Sequence, residues 1–124
     1  MLDKRKFYIN GKWVSPSKSN DYDVINPSTE EAFATISLGS KDDTNSAVRA
    51  AKQALVTWSE SSKEERINLL EKLLDIYKKR YSEMVEAISM EMGAPIGWSR
   101  DSQTSSGQSH LEDFIVRLKE FKFD

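Results

Sequence analysis

SKEERINLLEKLLDIYKKRYSEMVEAISMEM, Ser62 to Met92, is the stretch whose reading decides the fold. Apolar residues at Ile67, Leu70, Leu74, Tyr77, Tyr81, Met84 and Ile88 recur at steps of 3, 4, 3, 4, 3 and 4, which places them on one helical face. Leu69, Leu73, Ile76 and Val85 widen that face beyond a two-position seam, as a helix with more than one neighbour requires. Ser62 followed by Glu65 is a capping box, in which hydroxyl and carboxylate each take a free backbone N–H. Gly93 is a natural stop and Pro95 opposes continuation. One helix of this length is unusual in a globular domain. Ser82, followed by Glu83 and Glu86, offers a second start, so a break is predicted near Arg80–Ser82. A coiled coil would need more heptads than are present.

Upstream the period changes. Phe7–Ile9 and Lys12–Val14 flank Asn10-Gly11, a pair suited to the positive φ angles of a type I′ hairpin turn, with Tyr8 opposite Trp13. Tyr22–Asn26 and Ala32–Leu38 flank a Pro27 turn, and the second run alternates with period two. Ser40 with Asp43 opens a helix whose expected buried face is Ala47, Ala51, Ala54, Leu55 and Trp58. Downstream, Ser99–Ser109 has no apolar side chain and by itself reads as a linker. Leu111, Phe114, Ile115 and Leu118 resume helical spacing, and Phe121 and Phe123 alternate like the start of a strand.

The chain has 124 residues, about one domain, with net charge −2 and its basic residues dispersed, so it lacks the concentrated positive field of a nucleic-acid binder. It contains no cysteine, which removes disulfides, thiolate metal sites and a thiol nucleophile and favours a reducing compartment. No apolar run approaches the roughly 18 residues that span a membrane, and the N-terminus has no signal-peptide core, so a cytoplasmic location with no membrane partner is expected. His110, the sole histidine, reads as an ordinary helix position. Gly93–Gly97 lacks the lysine and pattern of a phosphate loop. Trp13, Trp58 and Trp98 are isolated and read as core anchors.

Several stretches in order resemble the N-terminal part of an aldehyde dehydrogenase. They are Phe7–Val14, Val24–Glu31, Asp42–Trp58 with its Ala47-Val48 and Ala50-Ala51, Glu64–Arg66, and Glu91–Pro95. The resemblance implies the fold class: an α+β piece, mainly helical with one or two small β-hairpins. It would form the outer N-terminal part of an α/β, Rossmann-like cofactor-binding domain, before the central parallel sheet. On this reading residues 1–124 are one segment of that domain, with hairpins at 7–14 and 22–38 and helices at about 41–58, 63–80, 82–92 and 97–119. The resemblance also turns Ser99–Ser109 from linker to helix, with Gly107 allowing close contact.

The family resembled comprises NAD(P)-dependent oxidoreductases that convert aldehydes to carboxylic acids. A cysteine thiolate attacks the aldehyde, hydride passes to NAD or NADP, and water releases the acid from a thioester. The resemblance places none of the catalytic or cofactor-binding residues in these 124, so no activity and no bound cofactor are expected of them alone. It implies one lesser site, a monovalent cation held by Val24 and Ile25 main-chain oxygens and by Gln103, where the family often has an acid. An aldehyde substrate and homo-oligomeric assembly are implied for the parent. A helical protein-interaction module without enzymatic activity, derived from the same family, is the alternative. The two differ in whether an asparagine near Pro-Trp, a Glu-Leu-Gly-Gly stretch and a cysteine in a Gly-Gln context follow Asp124.

Overall fold

The structure, a computed structural model, describes residues 1–123. It is mainly helical with a few small strands, and residues 1–60 and 61–124 form two compact units.

In the first unit, β2 (Phe7–Ile9) and β3 (Lys12–Val14) form a separate hairpin. Asn10 and Gly11 take φ of 53° and 73°, the positive pair that a type I′ turn needs. Tyr8 and Trp13 pair across it, rings edge-on with centroids 5.3 Å apart. β4 (Asp21–Asn26) and β5 (Glu31–Ser37) are antiparallel. Their turn closes by Glu30 N–H donating to the Asn26 carbonyl and Ser28 N–H to the Asn26 side chain. The register slips between Val24 and Ile25, which face Ala34 and Ala32, so Phe33 is an extra residue on β5. A third strand, β1 (Leu2–Lys4), was not expected from sequence; it adds to β5 in parallel, giving the order β1-β5-β4. Ala34 is the buried apolar residue of this sheet.

α1 (Lys41–Trp58) starts on a capping box between Ser40 and Asp43. The Asp43 carboxylate also accepts from Ser17 N–H at 2.8 Å, tying the loop before β4 to the helix start. The predicted buried face of α1 is corrected: Ala47, Ala51, Ala54, Leu55 and Trp58 are all exposed. Trp13 and Trp98 are exposed as well, at 68% and 59%, so none of the three tryptophans anchors a core among the described residues.

The regular elements of the second unit are all helices. α2 (Lys63–Lys79) begins on the Ser62–Glu65 capping box, with Ser62 N–H donating to Glu65 at 2.7 Å and Glu65 N–H donating to Ser62 Oγ at 3.1 Å. A cap of this kind contributes about 1 kcal/mol. The chain breaks at Arg80, and α3 (Tyr81–Met92) follows directly. Ser82 does not cap it; the junction residue is Arg80, without a side-chain cap hydrogen bond. Gly93 stops α3 in the left-handed region at φ 68°. After α4 (Ile96–Trp98) comes one π-helical turn, Ser99–Thr104, leading into α5 (Ser105–Glu120). Ser99–Ser109 is thus helical. α5 runs antiparallel to α2, held by Lys119–Glu71 (2.7 Å), Lys78–Glu112 (3.0 Å) and Lys63 Nζ, which donates to the carbonyls of Lys119 and Phe121. These exposed ion pairs each contribute at most about 1 kcal/mol; Ile67, Val85 and Ile115 are the buried apolar residues.

Candidate functional site

Among the described residues no three His, Cys, Asp or Glu side chains gather where they could hold a metal. His110 is exposed on α5. Of the residues named from sequence, Val24 and Ile25 sit side by side in β4, opposite the bulge at Phe33. Gln103 lies half-buried in the π turn of the second unit. Val24 and Ile25 are chain neighbours in the first unit, and Gln103 belongs to the second.

The most ordered polar arrangement is one that sequence reasoning missed. Tyr77, in the last turn of α2, donates its hydroxyl to the Thr104 carbonyl at 2.9 Å. Tyr81, the first residue of α3, donates to the Arg100 carbonyl at 2.6 Å. The two rings meet edge-on at 6.2 Å. Both hydroxyls serve the π turn, whose hydrogen bonds are longer-looped than those of an α-helix and whose junctions leave carbonyls to be satisfied from outside. Burial pushes the Tyr77 phenol above its ordinary value, with a lesser push from Tyr81, so the hydroxyl stays a donor at neutral pH. Gly107 lies beneath Tyr77: a Cβ there would meet the phenol oxygen at 2.5 Å. Ser99 is fully buried and donates to the Val85 carbonyl at 2.7 Å. Thr104 is also fully buried, and its hydroxyl has no hydrogen-bond partner. The signal available in sequence was Gly107 facing an aromatic one helix away, legible only once the antiparallel pairing of α2 and α5 is known.

An open groove of about 370 Å³ lies at the α2–α3 junction. Leu73, Ile76, Tyr77, Met84 and Ala87 line it, with the Arg80–Glu83 ion pair (2.7 Å) at its rim. Further apolar side chains stand exposed: Leu55, Val56 and Trp58 on α1, and Phe114 and Val116 on α5. Such surface suits packing rather than bond chemistry.

Residues 13–122 match the pattern of the aldehyde dehydrogenase family. The chain belongs to that family. It is 38% identical to a 3-succinoylsemialdehyde-pyridine dehydrogenase of a Pseudomonas species, over all of this chain and 26% of that protein. An aldehyde dehydrogenase from Bartonella henselae shares 55% identity and a TM-score of 0.98, over 99% of this chain and 26% of the other. Aldehyde dehydrogenase C of Pseudomonas syringae, solved as a mutant with NAD+ and octanal, shares 35% identity and a TM-score of 0.93 over 96% of this chain and 24% of its own. The chain therefore spans about a quarter of the length of these aldehyde dehydrogenases, corresponding to their N-terminal part. The helical architecture with small hairpins is the one these relatives share.

Proposed function

We propose that these 124 residues are the N-terminal structural part of an NAD(P)-dependent aldehyde dehydrogenase, and that the reacting groups lie in the portion they do not cover. The parent would oxidise an aldehyde to a carboxylic acid through a cysteine thiohemiacetal and thioester, with NAD or NADP as hydride acceptor. The observation that carries this reading is the combination of family membership with a cysteine-free chain covering a quarter of its relatives. Without a thiol the covalent step has no nucleophile here. The NAD+ and octanal of the Pseudomonas syringae structure support the cofactor and substrate class. We assign the cytoplasm as its location on the cysteine-free composition.

The chain's own role is then to scaffold. The exposed faces of α1 and α5 are surfaces on which the remainder of the enzyme and other subunits would pack. The isolated chain should accordingly self-associate: static light scattering at rising concentration should exceed the 14.2 kDa of one chain, and a strict monomer would count against the scaffold role. The lesser cation site of the family resemblance would use the main-chain oxygens of Val24 and Ile25, neighbours in β4. Both are neutral oxygen donors of the kind a hard cation takes. A heavy monovalent cation soaked into crystals would give an anomalous peak beside Val24 and Ile25 if the assignment holds.

The deciding experiment is direct. The purified chain, incubated with an aliphatic aldehyde and either NAD+ or NADP+, should form no reduced dinucleotide. Turnover by this preparation would overturn the reading.

A further inference from the structure

Inward-facing positions in the second unit follow an unusual count. From Ser99 to Glu120 the buried positions are Ser99, Thr104 and Ile115; half-buried Gln108, Leu111 and Leu118 continue their line, and Ser102, Gln103, Ser105, Gly107 and Glu112, also half-buried, flank it. The steps are five, then four, three, four and three. An α-helix returns to one face after three or four residues, so the step of five marks one residue in excess. Each residue turns an α-helix by about 100°. A continuous α-helix leaving Ser99 would therefore aim the exposed His110, Phe114 and Arg117 inward, in place of Leu111, Ile115 and Leu118. The apolar stripe of α5 meets α2 only because the extra residue is absorbed at Ser99–Thr104.

The surroundings of that turn fit this task. Four of its carbonyls accept from side-chain hydroxyls: Arg100 from Tyr81, Thr104 from Tyr77, Asp101 from Ser105, and Ser102 from Ser105 and Ser106. The missing side chain of Gly107 leaves the space through which Tyr77 reaches Thr104.

We propose that Ser99–Thr104 is a phase adapter: a single-residue excess, latched as a π turn by the hydroxyls of Tyr77 and Tyr81, that rotates α5 so its apolar stripe faces α2. The turn opens locally, without α5 leaving α2, when the latch is removed. This device does not depend on the enzyme reading.

The absence of native cysteine makes an introduced thiol the only one in the chain. Thr104→Cys reports the turn and Ile67→Cys, on α2, reports global unfolding. With both tyrosines present the thiol of Thr104→Cys should react slowly with a maleimide. In Tyr77→Phe/Tyr81→Phe, the loss of two hydrogen bonds should speed its labelling by about tenfold, with the thiol of Ile67→Cys unchanged. Deleting Ser102 removes the excess residue and restores α phase. That deletion should leave a folded chain, keep the thiol of Thr104→Cys protected, and abolish the effect of the tyrosine changes. Deleting Asp113 from the middle of α5 rotates its last turn out of phase and should speed labelling at both reporters. The proposal is overturned if the double tyrosine variant labels at the native rate or speeds both reporters equally. It is also overturned if deleting Ser102 is as damaging as deleting Asp113.

Discussion

Gly107→Ala tests the close approach of α5 to Tyr77. On a helix surface the exchange should stabilise by about 1 kcal/mol, because alanine is the better helix former. Here the added Cβ would lie 2.5 Å from the Tyr77 phenol oxygen and 3.0 Å from its ring carbon Cζ. Tyr77 must move, and its hydrogen bond to the Thr104 carbonyl is lost, at a cost of about 0.5–1.5 kcal/mol. Repacking the displaced ring costs about 1–3 kcal/mol. Tyr77 is half-buried and has an outward path, so the repacking falls at the low end. The net expectation is a loss of about 1 kcal/mol. Trp98 is the sole tryptophan of the second unit; with Trp13 and Trp58 replaced by Phe, its fluorescence reports urea unfolding from within that unit. In a Tyr77→Phe background the oxygen is gone and the alanine should come within about 0.5 kcal/mol of neutral. If Gly107→Ala stabilises the otherwise native chain by the full helix-propensity value, the close approach does not exist and the reasoning fails.

Two further outcomes follow from the polar groups. Thr104→Val removes a buried hydroxyl that has no partner and keeps the side-chain shape, so it should stabilise the second unit by about 1 kcal/mol in the same urea assay; destabilisation would reveal a partner for that hydroxyl. The Asp43 carboxyl is held at about 2, below its ordinary 3.8, first by Ser17 N–H and then by the hydroxyl and N–H of Ser40. A folded-state value below the unfolded one contributes stability that is complete above the unfolded value and disappears as pH falls through the folded one. Asp43→Asn should thus lower the thermal midpoint of the first unit at neutral pH, and the gap from the native chain should close between about pH 4 and pH 2. A gap that stays constant across that window would contradict the assignment.

Local chemistry made much of the fold legible. Asn10-Gly11, Ser62 with Glu65, Ser40 with Asp43, and Gly93 each announce a turn, a start or a stop through one backbone requirement, and the structure uses each that way. What stayed hidden depends on distant partners. β1 has three exposed residues, two of them charged, and exists because β5 offers an edge more than 30 positions along. The apolar spacing of α1 reads as a buried face, yet Leu55 and Val56 are exposed at 57% and 73%, so pattern alone could not say whether the cover lay within these residues. The π turn was obscured because its inward residues are Ser99 and Thr104, whose hydroxyls do not register as core in a hydrophobic count. The family's chemistry was legible only through resemblance, and not from the spacing of these side chains.

The placement of β1 bears on how this chain can be handled. Leu2, Asp3 and Lys4 occupy the flank of β5 opposite β4 and satisfy main-chain groups that would otherwise be bare. Trimming the start of the polypeptide, or threading a tag through it, would uncover a ready template for another strand. Material shortened by as few as four residues should therefore precipitate for a reason unrelated to catalysis.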